Sequence, residues 1–175
     1  MKNLNLIKEL QHQGTWRLVI LSIVTLTVYW AHYIARQSKI INTVVSDKEK
    51  ISKEFISVLF VLSYFSLSMV FIEALLLIDS IRDSFVAFLI NSDVASNIYL
   101  LLLDIDTYSG LVIFIMIVVW AVKVRNRMNT YCELNKGDLS RFNIFWSIVF
   151  TPYYFNYNVN CIMEEESVEP EAINL

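Results

Sequence analysis

The side chains that could carry chemistry are few and far apart. The chain of 175 residues holds two histidines, His12 and His32, and two cysteines, Cys132 and Cys161. Neither pair has metal-ligand spacing, so no metal site and no cofactor are expected. There is no His-Glu-x-x-His, Gly-x-Ser-x-Gly, Walker loop or Cys-x-x-Cys. Asp104 and Asp106 flank Ile105, but residues i and i+2 point apart on a helix. A membrane enzyme gathers several acids or histidines at one depth, and no such gathering is visible. No catalytic residue is assigned, and the chain is read as non-enzymatic.

What remains is a set of polar residues embedded in apolar sequence, where each needs a reason. At about 100° per residue, Ser22, Thr25, Tyr29, His32 and Arg36 fall on one stripe of a continuous helix. Ser63, Ser66 and Glu73 share a second face, with Ser57, Tyr64 and Ser68 roughly opposite. Asp104, Thr107 and Tyr108 cluster, and Asn143, Ser147, Thr151, Tyr154 and Asn158 form a further stripe. The hydroxyls and amides read as interhelical glue, worth about 0.6 kcal/mol each. His32 reads as a hydrogen-bonded interfacial histidine, with a proton or ligand role as the alternative. Glu73 needs a partner, because an intramembrane acid costs up to about 3 kcal/mol; Arg82 or the outer interface is the expected one.

The elements that must hold these residues follow from the composition. Apolar residues make up 56% of the chain, and there are only three Gly. This is well above the apolar share of soluble domains, and it excludes disorder and glycine-rich phosphate loops. Four windows approach the roughly 20 residues that a membrane helix needs: 16–35, 55–78, 97–122 and 143–159. The expected fold is therefore an all-α integral membrane four-helix bundle, one domain over residues 1–160, followed by an acidic tail, 161–175, read as disordered. The first window is too long for a signal peptide and lacks a small-x-small exit site, so it is read as a retained span. Pro152 should kink the fourth.

Lys and Arg set the orientation. The loops between windows one and two and between three and four carry ten of the 14. Loops 36–54 and 123–142 are accordingly placed in the cytoplasm of a bacterial inner-membrane protein, with both termini outside, or with the C-terminus inside if the fourth window lies in the interface instead of spanning. Cys132 and Cys161 then lie on opposite sides and cannot pair. Ser46 and Glu49 form a capping box that should start the helix leading into the second window, with Glu49 and Lys53 paired on it. The third window should continue as a helix through Lys123–Asn129, before a turn at Asn135–Asp138. Ile81, Phe85, Phe88 and Leu89 line one face of a short amphipathic helix expected at the outer interface. Lys48, Lys50, Lys53, Arg125 and Arg127 then form two basic cytoplasmic extensions. These face lipid headgroups and offer docking for a cytoplasmic protein. Without interleaved aromatics they do not read as a nucleic-acid surface.

The run Ser22-Ile-Val-Thr25-Leu-Thr-Val-Tyr29-Trp30, followed by Arg36 and Asn42, resembles an uncharacterised family of short bacterial membrane proteins. That family carries Thr-Leu-Gly-x-Tyr, then Tyr-Trp, and ends at an Asn; Thr27 stands here in place of the Gly. Related endings recur as Trp120, Arg125, Asn129 and as Tyr154, Tyr157, Asn160. The resemblance implies no activity. In size and architecture the chain is also similar to membrane subunits of phage-defence systems, such as the four-span subunit of Kiwa. The leading expectation is a homo-oligomeric membrane subunit that recruits or signals to a cytoplasmic partner. The alternatives are an ion-conducting oligomer and an immunity protein against a pore-forming toxin.

Overall fold

A computed structural model describes residues 4–11, 13–134 and 141–172. Lys2, His12 and the turn expected at Asn135–Asp138 lie outside the described residues. Among those described there is no strand. The helices are α1 (Leu4–Leu10), α2 (Thr15–Val24), α3 (Val28–Ile41), α4 (Lys53–Leu75), α5 (Asp79–Ile90), α6 (Asp93–Tyr131), α7 (Ile144–Val149) and α8 (Thr151–Ala172).

Two of these, α4 and α6, are long and apolar enough to cross a membrane. Neither has the mostly buried surface typical of a soluble protein's core helix. The most apolar 18-residue stretch of α4 is only 17% buried, and that of α6 33%. Exposed apolar surface on this scale marks a membrane or partner contact. Each helix starts on a serine cap: the Phe55 N–H donates to Ser52 Oγ and the Ala95 N–H to Ser92 Oγ, both at 3.2 Å. The 39 residues of α6 span about 58 Å. The helix thus continues past the apolar stretch through Asn129. α5 occupies the place of the amphipathic helix, with Phe85 edge-on to Tyr99 at 5.1 Å.

The first and fourth windows are not single helices. The first divides into α2 and α3 at Leu26, whose φ of 50° is left-handed and interrupts a right-handed helix. Tyr29 Oη donates to Gln13 Oε1 at 2.5 Å, and Gln37 Nε2 to the Leu10 carbonyl at 3.2 Å. One straight helix would separate Gln13 from Tyr29 by about 24 Å, so the chain turns back. The fourth window divides at Thr151, φ 44°. A residue before proline is kept out of the right-handed helical region. Instead of a kink at Pro152 there is a reversal: the Phe142 and Phe155 rings lie 5.5 Å apart. In a straight helix those residues would be about 20 Å apart.

The two reversals are copies of one element. Ser22-Ile23-Val24 precedes the first and Ser147-Ile148-Val149 the second. Ser22 Oγ donates to the Leu18 carbonyl at 2.6 Å and Ser147 Oγ to that of Asn143 at 2.7 Å. The left-handed residue comes four positions after the serine in each, and a tyrosine three further on. Tyr29 binds back to Gln13, and Tyr154 Oη accepts the Asn143 N–H at 3.0 Å. The copies sit side by side. Asn156 Nδ2 donates to the Gln13 carbonyl at 3.0 Å and to Thr15 Oγ1 at 3.1 Å, while its Oδ1 accepts Tyr33 Oη at 3.2 Å.

The core lies at the basic end of α6. Leu6, Ile7 and Leu10 of α1, Ile34 and Ile41 of α3, Trp120 and Met128 of α6, Phe142, and Ile162 of α8 are all buried there. Trp120 Nε1 donates to Ser38 Oγ at 2.9 Å. Each basic segment is closed by an asparagine. Asn42 exchanges two bonds of 2.9 Å with the Ile51 backbone, and Asn129 exchanges bonds of 2.9 and 3.0 Å with that of Phe142.

Two local expectations are corrected. Ser46 Oγ does bond Glu49 Oε2 at 2.9 Å, but across a single 3-10 turn at Asp47–Glu49. The helix starts at Lys53 on the Ser52 cap, so Glu49 and Lys53 share no helix. The segment from Cys161 to Ala172 continues α8.

Candidate functional site

The first polar stripe is dispersed by the break at Leu26. Ser22 is buried against its own helix. Thr25 caps the reversal: its hydroxyl donates to the Leu21 carbonyl at 2.8 Å and accepts the Tyr29 N–H at 3.1 Å. His32 Nε2 is 3.0 Å from Tyr64 Oη on α4, and its ring stands edge-on to Phe60 at 4.8 Å.

Ser63 on α4 is buried, its hydroxyl without a partner among the described residues. Ser66 Oγ donates to Asp106 Oδ1 at 2.7 Å and lies 3.0 Å from Ser109 Oγ. The acid that joins α4 to α6 is thus Asp106. Asp104 lies two positions away on the exposed side. Glu73 is exposed as well, and Arg82 pairs with Asp79 at 2.7 Å and Asp83 at 3.6 Å instead. Asp106, Ser109 and Asn156 were missed by periodicity, which ranks faces on one helix but cannot say which face meets a neighbour.

The basic residues do converge. Tyr131, at the end of α6, donates its hydroxyl to Glu49 Oε2 at 2.9 Å and accepts the Ser46 N–H at 3.3 Å. This ties segment 46–50 to the extension of α6, 82 residues away in sequence. The Tyr131 and Ser46 hydroxyls hold the Glu49 carboxyl below its ordinary range. Lys50 Nζ bonds Asp47 Oδ1 at 2.6 Å, and that contact lowers the Asp47 carboxyl too. Between the joined segments is an open cavity of about 300 Å³, lined by Lys48, Glu49, Lys50, Lys123, Asn126, Arg127 and Thr130. Burial draws the Arg127 guanidinium pKa down, opposed by the nearby Glu49 charge. Lys53 lies one step away on the neighbouring groove with Lys39.

Arg125 has a different role from that expected. Its Nε donates to the Phe142 carbonyl at 3.0 Å and its Nη1 to Asn126 Oδ1 at 2.6 Å, so it braces the start of α7. Lys123 takes its place on the cationic edge. Among the described residues no three His, Cys, Asp or Glu side chains gather closely enough to hold a metal. The chemistry this edge offers is the binding of anions.

No protein-family model, curated protein or solved structure matches this chain.

Proposed function

We propose that the protein crosses the bacterial inner membrane twice, through α4 and α6, and works as a non-enzymatic subunit that recruits or signals to a cytoplasmic partner. The two reversals enter the leaflet on the basic side and return. α2, ten residues long, reaches about 15 Å, half of a hydrocarbon core of about 30 Å. Both ends of the chain then lie on the side of the basic segments, together with the core. This layout replaces four crossings, and the positive-inside rule favours it.

One observation carries the reading: the two basic segments, distant in sequence, are held on a single edge by the Glu49–Tyr131–Ser46 contacts. A charged surface of one sign steers association with an oppositely charged partner. Assembly with further copies of the chain is part of the proposal, since Glu73, Asp104 and Tyr108 face outward from the apolar pair and acids in hydrocarbon need cover. The test is cross-linking in membranes followed by affinity capture. A soluble acidic protein held by the native chain and lost from Lys53→Glu supports the proposal. Identical captured proteins from both refute it.

A further inference from the structure

We propose that the cavity between segment 46–50 and the extension of α6 binds the phosphate of an anionic lipid headgroup from the leaflet facing the basic segments. The inference deepens the reading above and rests on its placement of this edge.

Four cations line the cavity against one carboxylate. That carboxylate, Glu49, is already engaged by Tyr131 and Ser46. Lys50 is shared with Asp47. Asn126 has its side-chain oxygen on Arg125, and Thr130 turns its hydroxyl to the Asn126 carbonyl at 3.0 Å. Lys48, Lys123 and Arg127 therefore hold the excess of donors. Arg127 Nη1 is buried and has no acceptor among the described residues, so part of the donor capacity of this guanidinium is unspent. A guanidinium fork flanked by lysines suits phosphate oxygens.

Depth decides the source of the phosphate. Ser66 on α4 is level with Asp106 and Ser109 on α6. Lys53, thirteen residues before Ser66, is then level with residues 119–122 of the antiparallel α6. Lys123 and Arg127 lie up to about 12 Å beyond that level at 1.5 Å per residue. This is the layer of headgroups that flanks the hydrocarbon.

The test is native mass spectrometry of the purified full chain released from detergent, with phosphatidic acid, phosphatidylglycerol or phosphatidylcholine added, and with glycerol phosphate as the soluble competitor. The expected result is retention of the two anionic lipids over phosphatidylcholine. Lys123→Ala and Arg127→Gln should each weaken that retention about tenfold, the size of one lost charge-assisted contact. Lys53→Glu should leave it unchanged. Equal retention of all three lipids, or unaltered retention in Lys123→Ala, overturns the proposal. Displacement by equimolar glycerol phosphate overturns the lipid source in favour of a soluble anion. Should Arg127→Gln fail to fold, Lys123→Ala decides alone, because the Lys123 side chain is exposed. The partner reading fails separately: its test is Lys53→Glu in protein capture, which lipid retention does not register.

Discussion

Asn129→Ala tests whether the asparagine clamps, not the apolar contacts alone, fix where the chain leaves α6 and enters α7. Asn129 accepts the Phe142 N–H at 2.9 Å and donates to its carbonyl at 3.0 Å. Phe142 is fully buried. The carbonyl keeps a second donor, Arg125 Nε at 3.0 Å, so losing Asn129 there removes one ordinary bond, about 1 kcal/mol. The N–H is left buried without its acceptor, a penalty of about 1–3 kcal/mol. The expected loss is about 2–4 kcal/mol in total. Thermal unfolding in mild detergent, followed by tryptophan emission, measures it, since Trp120 is buried in the same core. Asn42→Ala removes the same pair of bonds at Ile51 and should lose a similar amount. Losses below about 0.5 kcal/mol in both, the level of an ordinary surface substitution, would refute the clamp.

Leu26→Gly should stabilise the chain by about 1 kcal/mol by relieving a left-handed leucine, and the same unfolding assay would detect it. A destabilised variant would show that the leucine side chain is needed at the tip. The Glu49 tie should depend on pH. Hydrogen bonds from Tyr131 and Ser46 lower its folded-state pKa below the usual 4.5. Its contribution is therefore present above that value and is lost as pH falls through the lower folded value. Protection of the Ser46 and Glu49 amides, taken relative to the unstructured exchange rate at each pH, should hold at neutral pH and be lost only in acid, whereas Tyr131→Phe should lower it throughout. Ser66→Ala should weaken the α4–α6 contact by about 0.6 kcal/mol, and Asp106→Leu by more. Equal stability of both with the native chain would show that Ser66 and Asp106 do not join the two helices.

Hydropathy located α4 and α6 because their apolar runs are continuous helices. It could not separate a spanning helix from two short ones folded together, since both give the same run of apolar residues. The break at Leu26 rests on one φ angle, taken by a residue that is neither Gly nor Asn, and no local pattern marks it. At the second break Pro152 was a visible warning, but a proline announces an interruption without giving its angle. The clearer signal was the recurrence of Ser-Ile-Val at 22–24 and 147–149, each followed within seven residues by a tyrosine. The recurring asparagines, Asn42 and Asn129, were legible as endings; that each grips a backbone nine or thirteen residues later was not. The Ser46–Glu49 pair was correctly read as an interaction and misplaced by one element, because Ser52 offers a second cap six residues on. Arg125 turned inward, leaving Lys123 on the cationic edge, for a similar reason. Charge counts along a helix do not say which cation turns inward.

The most direct measurement is cysteine labelling with a membrane-impermeant reagent in a background lacking Cys132 and Cys161. Single cysteines at Gln11, Asp47, Ser92 and Glu164 sample both ends of the chain and both sides of the α4–α6 pair. Two crossings require Ser92 alone to react in intact cells, with Gln11, Asp47 and Glu164 reacting only after the membrane is opened. Reaction of Gln11 and Glu164 together with Ser92 in intact cells would contradict the layout and restore four crossings.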